Sequence, residues 1–218
     1  MAYLMDIVMR WGHIVFGVAW IGLLYYFNFV QTEYVKEADD SAKADVMAKL
    51  APRALWWFRW AAMFTFLTGL LLLGYILHMR LSLGITLGAL MGTLMMLNVW
   101  LIIWPNQKIV IGLESGDKAA AGPKAALASR TNTLLSLPML FFMVASGHAS
   151  PMDNGGVWGG AGDMAISTMA LVIGLVIVVI VEANALWGKM NGAIQSVRSV
   201  ITSSIILTAI MGSVVYYL

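Results

Sequence analysis

Two histidines stand at matching depths in two different apolar helices. His13 lies in Arg10-Trp11-Gly12-His13 and His148 in Ala145-Ser146-Gly147-His148, and the whole chain has three histidines. An imidazole inside hydrocarbon is costly and needs a partner or a task. Two at one level can clamp a cofactor between helices. A haem iron is the first candidate, since neutral imidazole is among its usual axial ligands. At about 100° per residue, Arg10, His13, Gly17, Trp20, Asn28 and Gln31 fall on one stripe of the first helix. Gly17, one turn from His13, leaves clearance for a flat macrocycle. Arg10, one turn outward, is placed to meet a haem propionate. Leu134, Leu137, Phe141 and Val144 share a rough stripe with His148 and would wall a porphyrin. Plainer readings stay open beside these: two helix-packing histidines, a close small-residue contact at Gly17, and an Arg10 that snorkels to lipid phosphate.

The elements that must position these residues follow from composition. The chain of 218 residues is 61% hydrophobic and 11% charged, where soluble domains are about 25% charged. The composition is that of an integral membrane protein. No cysteine is present, which excludes disulfides, thiolate metal sites and covalent c-type haem within this chain. The N-terminal run carries Asp6 and Arg10 and no small-residue cleavage site, so it reads as a first helix and not as a cleavable leader. No phosphate loop, nucleophile triad or nucleic-acid patch is visible.

Six stretches of roughly 20 residues are long enough to span, near 7–30, 54–77, 81–104, 132–149, 165–187 and 200–218. The expected fold is all-α: one polytopic membrane domain over 1–218. The fourth stretch is short, with apolar residues from Ala125 able to extend it on the aqueous side. Ten of the thirteen Lys and Arg residues lie in the loops after helices one, three and five: Lys36, Lys43, Lys49 and Arg53; Lys108, Lys118, Lys124 and Arg130; Lys189 and Arg198. The positive-inside rule assigns those loops to the cytoplasm. Both termini and the Gly-rich segment 150–164 then face the periplasm of a bacterial inner membrane. His13 and His148 each fall about 10 Å from the midplane, and His78 about 18 Å out, at headgroup level beside Arg80. Gly84, Gly88 and Gly92 repeat every four residues in helix three and predict tight packing. Arg59 and Glu182, near the cytoplasmic ends of helices two and five, are expected to form an intramembrane ion pair. Pro138 is expected to kink helix four. Sixteen scattered methionines read as core filling.

Several segments resemble the bacterial membrane-bound urate oxidase (urate hydroxylase) family. They are Arg10-Trp11-Gly12-His13 through Gly17-Val18-Ala19-Trp20-Ile21-Gly22 to Tyr26-Phe27, then Trp57-Phe58-Arg59-Trp60 with Leu67-Thr68-Gly69. Asn98-Val99 with Ile103-Trp104-Pro105-Asn106-Gln107-Lys108 follows, and then Ser129-Arg130-Thr131-Asn132 through Leu137-Pro138-Met139 to Ser146-Gly147-His148. The resemblance implies a helical membrane domain that passes electrons to a periplasmic cytochrome c, with His13 and His148 at matching positions. The family's C-terminal cytochrome c domain is not expected in this cysteine-free chain. Three functions follow as expectations: a b-haem electron-transfer protein working with a separate cytochrome c, a urate oxidase membrane subunit with the cytochrome in trans, or a cofactor-free accessory subunit of a respiratory complex. Homo-oligomerisation stays open. A periplasm-only reporter fused after Leu218 should be active, and a cytoplasm-only reporter silent; the reverse pattern would overturn the orientation.

Overall fold

The computed structural model describes residues 2–76, 82–148 and 167–218. His78, Arg80 and the segment 150–164 of the topology reading lie outside the described residues, as does the side chain of His148. Every regular element among the described residues is a helix. Six of these helices are long and apolar enough to cross a membrane.

Helix α1 runs through Ala2–Tyr25, a π-helical segment at Tyr26–Gln31, and Thr32–Glu37. Helix α2 runs through Asp40–Asp45, a second π segment at Val46–Leu50, and Ala51–Ile76. Only Ala38 and Asp39, both extended, separate them. Both are longer than the hydropathy pattern alone predicts. The span Tyr3–Glu37 is 35 residues, about 52 Å at 1.5 Å per residue, against a hydrocarbon core of about 30 Å. The excess carries i, i+3 and i, i+4 ion pairs, Lys36 with Glu33 at 2.7 Å and Lys49 with Asp45, which support helix where hydropathy falls.

Helix α3 comprises Leu83–Leu97, a third π segment at Asn98–Ile103, and Trp104–Val110. Ser82 caps it by accepting the Ile85 N–H at 3.2 Å. It ends where Gly112 takes φ +81°. The Leu113 N–H then reaches the Lys108 carbonyl at 2.8 Å and the Gly112 N–H that of Ile109 at 3.2 Å, a Schellman stop that suits glycine. Helix α4, Lys118–His148, starts 14 residues before the expected position. Asp117 Oδ1 accepts the Ala119 N–H at 2.8 Å and begins it, and Pro123 and Pro138 lie inside it. Helix α5 is Thr168–Trp187, capped by Ser167, and α6 is Val197–Tyr217, opened by a Ser196/Ser199 capping box.

The core is built around α4. Of its apolar window 56% is buried, against 22–39% for the other five, so α4 is the central helix. It packs against α1, α3, α5 and α6, while α1 lies mainly on α2. Leu87, Met91, Met95, Leu135, Phe142 and Val178 fill the centre with no exposed surface. Met91, Met95, Met96, Met139 and Met211 are all core residues, as the core-filling reading expects. The glycine repeat lets α3 lie close to α4. A Cβ at Gly88 would meet the Phe142 Cβ at 3.2 Å and the Met139 carbonyl at 3.7 Å, whereas nothing lies within 4 Å of a Cβ at Gly22. Gly88→Leu should therefore cost about 1–3 kcal/mol through overpacking. Gly22→Ala should be neutral or slightly stabilising. Unfolding in mixed detergent micelles, monitored by circular dichroism, reads both.

Candidate functional site

His13 sits at the seam between α1 and α2. Its Nδ1 lies 2.9 Å from the Thr65 carbonyl oxygen and 3.2 Å from Thr68 Oγ1. The tautomer follows from the partners. A carbonyl only accepts, and the Thr68 hydroxyl donates its own proton along its helix, to Phe64 O at 2.6 Å. The proton of a neutral His13 is therefore on Nδ1, and the lone pair is on Nε2. Nε2 has no hydrogen bond among the described residues. A metal-binding histidine usually has this arrangement, one ring nitrogen donating to a carbonyl while the other faces the metal.

Small residues bring the two helices close enough for this bond. A Cβ at Gly69 would stand 3.1 Å from His13 Cε1 and 3.5 Å from its Nδ1, so this edge of the ring lies against a glycine. A Cβ at Gly12 would meet Thr68 Cγ2 at 3.8 Å, and one at Gly17 would meet Thr65 Cγ2 at 3.9 Å. Gly17 thus faces α2 at ordinary contact distance. Trp20 is 2% exposed and its Nε1 has no hydrogen-bond partner. Arg10 is at the outer end, its Nε held by Asp6 Oδ2 at 2.9 Å with half of its side chain exposed. His13, Gly17 and Trp20 therefore share the inner stripe, and Arg10 stands on the surface one turn outward.

His148 ends α4. Its level relative to His13 follows from two bonds between α1 and α4. Tyr25 Oη and Ser136 Oγ lie 2.8 Å apart, and Asn28 Nδ2 donates to Ser129 Oγ at 2.8 Å. The order of these pairs makes the helices antiparallel. His13 is twelve residues before Tyr25 and His148 twelve after Ser136, so both backbones lie about 18 Å outward from that bond.

A second polar centre lies deeper in the bundle. Asn98, at the start of the α3 π segment, is 2% exposed, Asn132 is fully buried and Glu182 is 8% exposed. Asn98 Nδ2 donates both protons, to Asn132 Oδ1 at 2.9 Å and to Glu182 Oε2 at 3.1 Å. Asn132 Nδ2 donates to the Met95 carbonyl at 2.9 Å. One chain of bonds ties α3, α4 and α5. The expected Arg59–Glu182 pair is not formed. Arg59 stacks its guanidinium 3.8 Å from the Trp104 ring centroid, and its carbonyl accepts the Trp100 indole N–H at 3.1 Å. A shared depth placed the two charges together in the sequence reading, but their helix faces point to different partners. The available signal for the real centre was three amide or carboxyl residues, Asn98, Asn132 and Glu182, each inside an otherwise apolar run.

Among the described residues no group of three or more His, Cys, Asp or Glu side chains is placed to hold a metal ion. Comparison with known families gives one match: the family described as urate oxidase N-terminal, over residues 82–212, more than half of the chain. The match takes in the Asn98–Asn132–Glu182 centre and His148 but begins after His13. No curated protein and no solved structure matches. A double-mutant cycle separates the two polar arrangements. Arg59→Leu and Glu182→Leu should be additive in unfolding free energy within about 0.5 kcal/mol, whereas Asn98→Leu and Glu182→Leu should couple by about 0.5–3 kcal/mol.

Proposed function

This chain belongs to the urate oxidase N-terminal family, and from that premise we propose a multi-pass redox protein of the bacterial inner membrane that carries a b-type haem between His13 and His148 near the periplasmic face. Its electrons pass to or from a separate periplasmic cytochrome c. The observation that carries this reading is the fixed tautomer of His13. Its Nδ1–H is held by Thr65 and Thr68, and its Nε2 is left with a lone pair and no hydrogen bond among the described residues. The residues present fit an axial ligand on this side. The carbonyl contact holds the ring in one plane and raises the basicity of Nε2, and Gly69 removes the side chain that would turn the ring away.

When bound, a b-type haem supplies reversible one-electron transfer at its iron. The protein's own residues do the rest. His13 and His148 would hold the group at one level of the antiparallel α1–α4 pair. Arg10, ion-paired with Asp6 and half exposed, would offer guanidinium N–H donors to the group's carboxylates. Phe141 and Val144, on the same stripe of α4 as His148, would help keep water from the bound group.

A second reading is favoured by the family match itself: oxidation of urate by this membrane part, with the cytochrome acceptor in trans. It shares the haem and adds a substrate, so it is separated by assaying cytochrome c reduction with and without urate.

Purified protein should show a Soret band with a six-coordinate, low-spin spectrum. His13→Ala and His148→Ala should each abolish the band or convert it to a five-coordinate form. Thr68→Val should leave haem bound but weaken its affinity by about tenfold, the scale of an outer partner of a ligating histidine. His78→Ala should leave the spectrum unchanged. Protein that folds, yet binds no haem when hemin is added, would sink the redox reading and leave the accessory-subunit role.

A further inference from the structure

A groove opens between α1, α4 and α6, with a volume of about 150 Å³ and walls from Tyr25, Phe29, Thr133, Leu137, Ile201 and Ser204. Its six hydroxyl-free or hydroxyl-committed walls offer only apolar surface. Tyr25 Oη bonds Ser136, Thr133 Oγ1 donates to Ser129 O at 3.0 Å, and Ser204 Oγ donates to Leu134 O at 2.7 Å. On α4 the groove residues Thr133 and Leu137 continue one turn toward the loop end into Arg130, the i, i+3, i+7 spacing of a single helix face. The Arg130 side chain leans further that way, because helical side chains point toward their own N-terminus.

Arg130 is 5% exposed, and its NH1 is buried with no hydrogen-bond partner among the described residues. A buried guanidinium nitrogen without an acceptor is expensive. The nearby carboxylate does not fill that role: Glu33 acts on Arg130 only through its field, and its oxygen is taken by Lys36 Nζ at 2.7 Å. At the same end of the α1–α4 seam, one turn beyond the Asn28–Ser129 bond, Gln31 Oε1 is also buried without a donor. The groove's α4 wall thus lies one turn from an orphaned guanidinium nitrogen, and an orphaned acceptor stands on α1 at the same end of the seam, in the half of the bundle that holds ten of the thirteen basic residues.

We propose that this groove binds one anionic phospholipid with hydroxyls in its headgroup. Its acyl chain lies against Phe29, Leu137 and Ile201, its phosphate accepts from Arg130 NH1, and a headgroup hydroxyl donates to Gln31 Oε1. Basic pockets between membrane helices on the cytoplasmic side recognise lipid headgroups by this chemistry. The proposal does not depend on the haem reading, since the groove lies in the opposite half of the bundle from His13.

The test is native mass spectrometry of the full chain released from detergent after incubation with phosphatidylglycerol or phosphatidylcholine. Wild-type protein should retain one phosphatidylglycerol with about tenfold preference, the scale of one charge-assisted hydrogen bond. Arg130→Gln should reduce that preference to parity, Arg130→Lys should keep part of it, and Leu137→Trp, which fills the groove, should lower retention of both lipids. Arg53→Gln, an exposed basic residue, should change nothing. Equal retention of the two lipids by wild-type protein would overturn the proposal without any variant. Displacement by millimolar inorganic phosphate would make this a free-anion site, and a dimer that dissociates on Leu137→Trp would make the groove an interface between copies; either result would also overturn it.

Discussion

Hydrocarbon provides no hydrogen-bond partners, so a polar group inside a membrane bundle is costly unless another helix, its own backbone or a ligand satisfies it. The weight of this constraint falls on α4. Five consecutive residues, Ser129-Arg130-Thr131-Asn132-Thr133, are polar and at most half-exposed, and four of them are buried. At 100° per residue five positions point all the way round the helix, so no orientation would let α4 turn an apolar side to lipid at this level. It has to be enclosed. Ser129 takes its partner from α1, Asn132 from α3, and the Thr133 and Leu134 carbonyls accept from Ser204 of α6. The central place of α4 follows from these partners, and the other helices are ordered around it.

Two of the three buried asparagines among the described residues sit at local changes in the winding of their own helices. Asn28 lies within the α1 π segment and Asn98 opens that of α3. A π turn inserts an extra residue and resets the faces beyond it. It also strands carbonyls, and short polar side chains recover some of them. Thr32 Oγ1 donates to Phe27 O at 2.6 Å and Asn106 Nδ2 to Ile102 O at 2.7 Å. The family's matched stretch contains one such segment together with the Asn98–Asn132–Glu182 chain. The chain of bonds fixes α3, α4 and α5 in register as Gly88 allows the close contact of α3 with α4.

Hydropathy made the number of spans legible, because 20 apolar residues in a row have few other uses. Helix ends were less legible. The apolar pattern stops at the first charges, but α1 and α2 continue through Glu33, Lys36, Asp45 and Lys49, whose spacing supports helix in water. Partnerships across helices were the least legible. Arg59 and Glu182 have opposite charge and similar depth, and a sequence carries no direct measure of which way each helix is turned about its axis. The structure turns Arg59 to Trp104 and Glu182 to Asn98. The same limit applied to Gly17. The stripe it shares with His13 was readable, but the neighbour across the stripe, Thr65 of α2, was not.

The described contacts of the His13 ring nitrogens come from one side. Thr65, Thr68 and Gly69 satisfy Nδ1 and fix the ring, and they do so from α2, the helix on the far side from α4. A histidine present only for helix packing could turn either nitrogen to α2, and Nε2 is not among the fully buried side-chain atoms without a partner, so desolvation does not decide between the two roles. The packing histidine and the ligand histidine therefore differ in what lies opposite the seam and not in the seam itself. Thr68 distinguishes them: its oxygen matters little to a ring that only packs, and it tunes the donor strength of a ring that ligates.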